Sequence, residues 1–438
     1  MIPLALAEVE DLVPGRLVSA DEAERVTGVA IDSRRTRTGD LFVAVGRGSE
    51  FVDDALAAGA AAALVPEDAF GALGALGRAV RERSAAKVVA VTGSTAKTST
   101  KDILGALCSP HARTVVAEGS QNNEIGLPLT LCRLEEDTEI AIVEMGMRGL
   151  GQITELCEIA RPDVGIVTSV GPVHLELLGT VERVAQAKAE LIVSLPPDGT
   201  AVVPAGEAYL EPYLAREDLQ VFRFGDGGDV SLSYFAAHDG SARIRVEAFG
   251  RPLTLEFSFS SRYNATNALA ALAAYHALGL PLGKAQKGSR HVQLSRLRGE
   301  EVQLPGGGVL LNDCYNANPL SMAAALEHLG DRAAGNRKVA VLGDMAELGP
   351  GAPAYHREVG AAAARAGVQV LVAVGPLARN YVQGARGVPL TRWAPTVEQG
   401  LAALRSVLRP GDCVLVKGSR AMGLEVIAEA VAVVPAQA

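Results

Sequence analysis

One segment, residues 87–100, constrains the fold of this chain more than any other. Residues 88–91 form a β-branched apolar run, a turn of small residues follows from Gly93, and apolar residues then recur at helical spacing from Thr98 onwards. A strand, a turn and a helix in this order bring backbone N–H groups and the positive end of the helix dipole to one point, where a polyphosphate can bind. In such a site Lys97 reaches the outer phosphates and the Thr98 hydroxyl binds the Mg²⁺ that accompanies them.

The turn departs from the usual nucleotide-binding signature at two positions. Val91 and Ala96 stand where the signature has glycine. If residue 96 needs a positive φ, its Cβ costs on the order of 1 kcal/mol and narrows the room for a phosphate oxygen. Taken alone, the segment is therefore also compatible with an ordinary helix N-terminus that follows a buried strand.

Length, charge and cysteine content narrow the class of protein. A chain of 438 residues predicts two or three domains, and no apolar run approaches the ~20 residues that cross a membrane. The N-terminus has no basic segment typical of a signal peptide, and the net charge of −9 offers no general attraction to nucleic acid. The five cysteines form no C-x-x-C pair, so neither a zinc site nor a disulfide framework is indicated. We expect a soluble cytoplasmic protein with no membrane insertion and no nucleic-acid partner.

Residues 1–86 predict a small α/β unit. Its elements are strands at residues 28–32, 40–45 and 61–65, a helix at 51–59, and a helix with a linker over 66–86. In the turn after the first strand, the Ser33 hydroxyl and the Arg34 guanidinium could hold a uracil or a diphosphate. The alternative interpretation is a capped turn with a surface arginine.

Residues 87–292 predict a mostly parallel sheet covered on both faces, because short apolar strands alternate with helices. The strands after the phosphate-binding turn fall at residues 113–117, 139–143, 163–168 and 200–203. Ligands of such sheets gather at the carboxyl ends of the strands, where Glu144 and His174 occur. Together with Thr98 they could supply part of the coordination shell of Mg²⁺. Taken singly, Glu144 could instead be a carboxylate at a helix N-terminus, and His174 a hydrogen-bonded loop residue.

Three further features of this segment bear on fold or function. Lys188 lies on the apolar side of an amphipathic helix over residues 180–193, so its ammonium either reaches past that surface or is modified or paired. Residues 221–260 alternate like antiparallel hairpins appended to the parallel sheet. At the start of the next helix, Asn264 and Asn267 share one face, where their amides can read an adenine edge or cap the helix.

Residues 293–438 predict a second α/β unit. Its strands fall at residues 309–312, 338–342, 368–374 and 413–416. Three strands run directly into polar turns, at residues 313–319, 343–349 and 417–420. Because such turns meet at one sheet edge, we expect a binding face that opposes the phosphate-binding turn across a cleft.

Phrases along the whole chain together resemble the Mur ligase family, and within it the type that adds D-alanyl-D-alanine, called MurF. Those particular to that type are NNEIG at residues 122–126, YNANP at 315–319 and GDMAELG at 343–349. The others lie at residues 32–34, 92–98, 144–148, 170–174, 187–190, 264–267 and 416–420. The chain departs from the family at Ala96, which replaces the loop glycine, at Ser261 and Tyr263, which replace a usual glycine and histidine, and in a shortened loop at residues 47–50.

The resemblance implies an α/β protein of three domains that uses ATP and Mg²⁺. The first of the three domains is a small N-terminal domain for the uridine diphosphate end of a sugar substrate (1–86). The second is a central P-loop ATPase domain with a parallel sheet and appended β-hairpins (87–292), and the third is a Rossmann-like C-terminal domain (293–438). The nucleotide-binding residues it implies are Gly93, Ser94, Thr95, Ala96, Lys97, Thr98 and Ser99 for the phosphates, Asn264 and Asn267 for adenine, Asp313 for ribose, and Arg296 for a phosphate.

The resemblance also implies catalytic groups and substrate contacts. The metal ligands it implies are Thr98, Glu144, His174 and a carbamate formed on Lys188, and the catalytic residues are Lys97, Lys188, His174 and Glu144. The substrate-binding residues it implies are Ser33 and Arg34 for uridine diphosphate, with Asn122, Asn123, Tyr315, Asn316 and Asn318. A carbamate would replace an unfavourable cation at position 188 with an anion able to bind Mg²⁺.

The implied activity is an ATP-dependent amide ligation in cytoplasmic peptidoglycan precursor synthesis. The partners are UDP-N-acetylmuramoyl-tripeptide and D-alanyl-D-alanine, and we expect a monomer. The γ-phosphoryl group passes to the terminal carboxylate of the tripeptide, the dipeptide amine attacks the acyl phosphate, and phosphate leaves. Such chemistry needs alignment and charge neutralisation more than a nucleophilic side chain.

Alternatives stay open. A Mur-type ligase for an earlier amino acid is one, although its Asp-Asn-Pro-Arg motif is absent from this chain. Folylpolyglutamate synthase is another, and the N-terminal domain argues against it. From a different class, the chain could be a nucleotide-binding homologue with turnover impaired by Ala96, or a P-loop switch.

Overall fold

A computed structural model of the protein describes residues 1–20, 23–238 and 240–433. Three sheets of four or more strands lie in succession along the described part of the chain, each with helices packed against it, and the predicted α/β class is confirmed. Among the residues described, no helix is both long enough and apolar enough to cross a membrane. The predicted domain boundaries at residues 86/87 and 292/293 stay a prediction.

The N-terminal sheet has the strand order β2-β6-β5-β4, in which β4, β5 and β6 are parallel and β2 is antiparallel. Its region contains the strands β1 (Leu4–Ala5), β2 (Gly15–Ser19), β3 (Arg25–Val26), β4 (Gly28–Ala30), β5 (Asp40–Val43) and β6 (Ala62–Pro66) and the helices α1 (Leu6–Leu12), α2 (Val52–Ala57) and α3 (Ala69–Arg83). The short β1 pairs with β3. The predicted strands and helices are found with bounds that differ by one to three residues, whereas β1, β2, β3 and α1 were not predicted.

The central sheet has the order β15-β14-β13-β12-β11-β10-β7-β9-β8. Its strands are β7 (Lys87–Thr92), β8 (Thr114–Val116), β9 (Ile140–Glu144), β10 (Val164–Val167), β11 (Thr200–Pro204), β12 (Gln220–Phe224), β13 (Val230–His238), β14 (Ser241–Ala248) and β15 (Arg251–Phe257). Strands β7 to β12 pair in parallel, and β13, β14 and β15 form an antiparallel meander.

One prediction for this sheet was wrong. Residues 221–224 were expected in an antiparallel hairpin, but β12 runs parallel to β11 and touches β13 through a single parallel bridge, Phe224 to Val230. Alternation of side chains decides which face of a strand is buried and carries no information on the direction of its neighbour. The long connection over residues 205–219 allows the crossover that a parallel pair needs.

The central helices pack on both faces of the sheet. They are α4 (Lys97–Cys108), α5 (Gly126–Leu131), α6 (Gln152–Ala160), α7 (Leu175–Leu178), α8 (Val181–Val193), α9 (Arg262–Ala277) and α10 (Gln286–Ser289). The helix α9 is buried around most of its circumference and packs against α4, so it supports the helix that follows the phosphate-binding turn. Leu73 and Leu76 of α3 share a core with Leu127 and Leu131 of α5, so the N-terminal region is packed directly on the central one.

The C-terminal sheet has the order β16-β17-β21-β18-β19-β20 and is parallel except for β16. Its strands are β16 (Glu300–Gln303), β17 (Val309–Asn312), β18 (Lys338–Gly343), β19 (Val370–Val374), β20 (Leu390–Ala394) and β21 (Cys413–Lys417), and its helices are α11 (Pro319–Ala333), α12 (Ala352–Arg365), α13 (Arg379–Gly384), α14 (Val397–Arg405) and α15 (Glu425–Val433). The predicted strands are confirmed, whereas β16 and β20 were missed. Both are edge strands with polar or exposed side chains, which leave no apolar run to detect.

We predict that Leu272→Ala lowers the free energy of unfolding of the central region by about 2–5 kcal/mol, because truncating a fully buried leucine of α9 leaves a cavity. Urea denaturation followed by circular dichroism measures the change. Leu177→Ala is the matched control, since Leu177 is 64% exposed and its truncation should change stability by no more than about 0.5 kcal/mol. Equal losses in the two variants would contradict the proposed role of α9 as core.

Candidate functional site

The phosphate-binding turn lies between β7 and α4, at the carboxyl edge of the central sheet. At Gly93 the chain passes so close to β10 that a Cβ would come within 1.8 Å of the Thr168 hydroxyl oxygen. Ala96 has φ 66°, so the positive φ considered from the sequence is present at a residue with a Cβ. The Lys97 ammonium donates to the Gly93 carbonyl oxygen at 2.9 Å, and the Thr95 N–H donates to the Ser169 hydroxyl at 3.0 Å.

A buried carboxylate lies beside the turn. Glu144, at the end of β9, is fully buried and accepts hydrogen bonds from the Thr98 hydroxyl and the Asn122 amide, each at 2.7 Å. Burial lowers the pKa of the Lys97 ammonium, and the negative charge of Glu144 opposes that shift. A hydroxyl and a carboxylate in contact are oxygen donors of the kind that Mg²⁺ prefers.

Lys188 of α8 is almost fully buried on the side of the helix that faces the cleft. Burial, and after it the positive charge of Lys97, lowers the pKa of the Lys188 amine well below its usual value. Within the described part of the chain, no carboxylate contributes to this shift. Both effects act in favour of the neutral form of the amine. Because the side chain is 2% exposed, the sequence alternative of a lysine that reaches out to solvent does not hold.

His174 stands immediately before α7 with φ 52°, another positive φ at a residue with a side chain. Its Nδ1 hydrogen-bonds to a carboxylate oxygen of Glu347, in the turn after β18. Burial lowers the pKa of the imidazole, Glu347 opposes the change, and Lys188 and Lys97 add to it. The neutral imidazole that burial favours is the form that binds metals.

The two asparagines at the start of α9 form a relay. The Asn267 amide donates to Asn264 at 2.9 Å, and the Asn264 amide donates to the Ser261 hydroxyl at 2.8 Å. Asn267 lines the cleft, whereas Asn264 lies beneath it. The cap residue Ser261 makes no side-chain hydrogen bond to the helix backbone, and both amides donate to side chains, so the capping alternative is not what this structure shows.

A single cleft of about 1680 Å³ connects these groups with the C-terminal sheet. The predicted site residues that line it are Ser94, Thr95, Ala96, Lys97, Thr98, Ser99, Asn122, Asn123, Glu144, His174, Lys188, Asn267, Asp313, Tyr315, Asn316 and Asn318. Residues Phe70, Gly74 and Arg78 of α3 extend the lining to the N-terminal region. All three regions of the chain thus contribute to one cavity.

Some predicted residues lie outside this lining. Gly93 and Asn264 are buried directly behind it, whereas Arg296 is exposed and does not reach the cleft. Ser33 and Arg34 lie in a short 3₁₀ turn, and Arg34 is 86% exposed and paired with Asp32 at 2.7 Å. The Asp32 carboxylate caps the turn, as the capped-turn alternative predicted.

Among the charged residues of the cleft that sequence reasoning missed, Arg298, Lys417 and Glu347 contact predicted site residues. Arg298 lies over the Tyr315 ring at 4.0 Å and donates to the Ser120 hydroxyl at 3.0 Å, so Arg298 occupies the place at the cleft that was expected of Arg296. Lys417 is buried and pairs with Asp313 at 2.6 Å, which holds the loop before α11. Glu347 contacts His174. The sequence did offer a signal for each of them. Lys417 and Glu347 lie in polar turns at strand ends, and Arg298 lies two residues after the predicted Arg296.

The C-terminal sheet touches the phosphate-binding turn directly. The Asn318 amide, which begins a capping box at the start of α11, donates to the Ser94 carbonyl oxygen at 3.2 Å. The loop that supplies this contact also carries Asp313, Tyr315 and Asn316. The predicted opposition of the C-terminal turns and the phosphate-binding turn is therefore found in the fold.

The side chains at this site suit Mg²⁺, for which phosphate and water supply further ligands, better than a metal whose ligands all come from the protein. In the described ranges, no group of three or more His, Cys, Asp or Glu side chains is arranged to hold an ion. Mg²⁺ is usually held by one or two carboxylates, while phosphate oxygens and waters complete its shell. The contact of Thr98 with buried Glu144 fits that requirement.

Comparison with known proteins is consistent with these features. The family profiles described as "Mur ligase middle domain" and "Mur ligase, glutamate ligase domain" match residues 91–275 and 297–420. A UDP-N-acetylmuramoyl-tripeptide–D-alanyl-D-alanine ligase of Synechocystis is 34% identical, over 96% of each chain. The fold is similar to MurF of Acinetobacter baumannii, with a TM-score of 0.87 and 29% identity, and the match covers 98% of this chain and 99% of that one. It is also similar to MurF of Thermotoga maritima in complex with ADP, with a TM-score of 0.80 and 29% identity, and that match covers 92% of this chain and 97% of the other.

We predict that Ala96→Gly stabilises the protein by about 1 kcal/mol and does not weaken nucleotide binding, because glycine adopts the positive φ of this position without strain. Thermal denaturation and calorimetric titration with ADP measure the two effects. Ala106→Gly, in the interior of α4, is the control and should destabilise by about 0.5–1 kcal/mol. Destabilisation by Ala96→Gly of the same size would show that the backbone at residue 96 is not strained.

Proposed function

Since this chain belongs to the Mur ligase family, we propose that it joins D-alanyl-D-alanine to UDP-N-acetylmuramoyl-tripeptide at the expense of ATP, in the cytoplasmic synthesis of peptidoglycan precursors. The observation that carries the proposal is the single cleft in which a phosphate-binding turn, a buried carboxylate and a buried lysine face the polar turns of a second sheet. Relatives that bear the name of this ligase align with nearly the whole chain.

ATP is proposed to bind with its phosphates on residues 93–99 and its adenine at Asn267. Asp313, held in place by Lys417, is positioned for the ribose. Arg298 rather than Arg296 is the arginine available to the phosphates, because Arg298 faces the cleft. Thr98, Glu144 and His174, with a carbamate on Lys188, would hold Mg²⁺, which neutralises phosphate charge when it is bound.

The chain's own residues supply alignment and positive charge for the transfer. Lys97 and Arg298 face the cleft from the phosphate-binding turn and from the segment before β16, so both lie where phosphoryl oxygens would carry negative charge. The γ-phosphoryl group would pass to the terminal carboxylate of the tripeptide, the amine of the dipeptide would attack the acyl carbon, and inorganic phosphate would leave. Each step needs positioned cations rather than a covalent protein intermediate.

The sugar nucleotide is proposed to reach the cleft from the N-terminal region. Lining residues of α3 support this direction, with Ser33 and Arg34 as the uridine diphosphate contacts. Asn122, Asn123, Tyr315, Asn316 and Asn318 would contact the substrates, and domain boundaries near residues 86/87 and 292/293 would separate the three binding regions. We expect a monomer, in which residues of all three regions of one chain come together at the cleft.

Lys188 is proposed to react with CO₂. The neutral amine forms an N–C bond and loses a proton, and the carbamate so formed is an anion next to Lys97. This change would remove the repulsion between the two lysines that the buried site imposes. It would also give the metal site an oxygen ligand that the unmodified chain lacks at this position.

A second candidate function rests on Ala96. Its positive φ and its place in the lining of the cleft would suit a homologue that binds nucleotide with impaired turnover. The relatives that align with nearly the whole chain bear the name of the ligase and do not favour this alternative. Such a protein would keep ADP affinity without forming product.

We predict that the purified protein releases phosphate from ATP only when both UDP-N-acetylmuramoyl-tripeptide and D-alanyl-D-alanine are present, with one ligated product per phosphate. A phosphate-release assay coupled to mass spectrometry measures both quantities. Hydrolysis of ATP alone would indicate a switch, and absence of release with retained ADP binding would indicate the impaired homologue.

We further predict that Lys188→Ala abolishes ligation and that acetate or formate restores part of it, because a small carboxylate can occupy the space of the lost carbamate. Initial rates with increasing carboxylate measure the rescue. Lys287→Ala, which removes an exposed lysine, is the control and should keep full activity. Full activity of Lys188→Ala, or loss without rescue, would contradict the carbamate.

A further inference from the structure

The turn after β18 is docked on the segment that carries His174. A carboxylate oxygen of Glu347 hydrogen-bonds to His174 Nδ1, and the Glu347 carbonyl oxygen accepts from the Glu176 N–H at 3.2 Å. Gly349 lies so close that a Cβ there would be 3.3 Å from the Glu176 Cα. Side chain and main chain of the C-terminal region therefore both hold this contact.

Both partners of the hydrogen bond have unusual backbone conformations. His174 has φ 52° and Glu347 has φ 62°, and each left-handed residue with a Cβ costs about 1 kcal/mol or more. Such conformations persist where the surrounding structure over-determines them, and they concentrate at functional sites. Here two of them face each other across the junction of the central and C-terminal regions.

The hydrogen bond determines which nitrogen of His174 is free. A carboxylate only accepts hydrogen bonds, so Nδ1 must carry the proton that it donates to Glu347. In the neutral ring, Nε2 then has a lone pair. His174 lines the same cleft as Thr98 and Glu144, so this lone pair belongs to a residue of the cleft that is proposed to hold the cation.

We propose that Glu347 is a positioning residue for the cation site: its carboxylate orients the His174 imidazole and fixes its tautomer, so that cation binding by the central region depends on docking of the C-terminal turn. Metal-ligating histidines usually donate their second N–H to such an outer carboxylate. Here the carboxylate comes from a different sheet of the chain than the ligands. This inference rests on the proposed function, which supplies the role of His174.

The arrangement has a consequence for the order of events. A cation bound with nucleotide would be held fully only when residues 344–349 contact residues 174–176. Arg148, whose guanidinium lies 3.8 Å from the other Glu347 oxygen, helps to hold the carboxylate in that place. Cation binding and closure of the two sheets would then favour each other, as linked equilibria must.

The test is cation binding by the full chain with ADP present, with Mn²⁺ as the probe. Free Mn²⁺ is measured by electron paramagnetic resonance in the wild-type protein, in Glu347→Gln and in Glu347→Asp. Loss of an outer carboxylate weakens metal binding about 10- to 100-fold, so we expect a shift of that size for Glu347→Gln and a smaller one for Glu347→Asp. The ¹⁴N modulation of the bound Mn²⁺ echo signal, which reports a coordinated imidazole, should also be lost or weakened in Glu347→Gln.

The matched control is Glu176→Gln, which removes one negative charge at the same junction from an exposed side chain and leaves the His174 hydrogen bond intact. It should bind Mn²⁺ like the wild type. ADP affinity without cation and the thermal midpoint establish that Glu347→Gln is folded.

The outcomes separate this inference from the function on which it rests. If the wild-type protein with ADP binds no Mn²⁺, the proposed metal–nucleotide site itself is wrong. If the wild type binds Mn²⁺ and Glu347→Gln binds it equally well with the same ¹⁴N signal, Glu347 does not position His174. Tighter binding in Glu347→Gln would mean that the carboxylate competes with the cation for the imidazole, and this too would overturn the inference.

Discussion

The hydrogen bond between Thr98 and Glu144 is the contact on which the site depends. It joins the first turn of α4 to the carboxyl end of β9, and both partners are buried. A buried carboxylate is costly unless its oxygens are engaged, and Asn122 engages the second one. The phosphate-binding turn, the strand edge and the loop that follows β8 are thus held together by one anion.

Positive side chains cluster near the phosphate-binding turn, although the whole chain is acidic. The protein carries a net charge of −9, yet Lys97, Lys188 and Arg298 gather at the cleft around Glu144. Burial lowers the pKa of both lysines, because it is costly to remove a cation from water. A polyphosphate with its cation, or a carbamate on Lys188, would balance this excess.

The two sheets meet through polar contacts rather than through a continuous apolar core. Asn318 with Ser94 and Glu347 with His174 connect them, and the C-terminal apolar clusters contain no residue of the central region within the described chain. The N-terminal region differs, because Leu73 and Leu76 share a core with Leu127. Polar junctions separate at lower cost than apolar ones, so the C-terminal sheet is the part suited to move during turnover.

The sequence by itself determined the strand–turn–helix at residues 87–100, the α/β class and the family resemblance, because apolar periodicity and short motifs are local properties of the chain. It also predicted that Thr98, Glu144 and His174 would lie at one sheet edge. Only the tertiary structure decided that Arg298 rather than Arg296 faces the cleft, and that β12 runs parallel to β11. The partner of His174 likewise lies 173 residues away in the chain. Which atoms meet across such distances follows from how the sheets pack, and no local pattern carries that information.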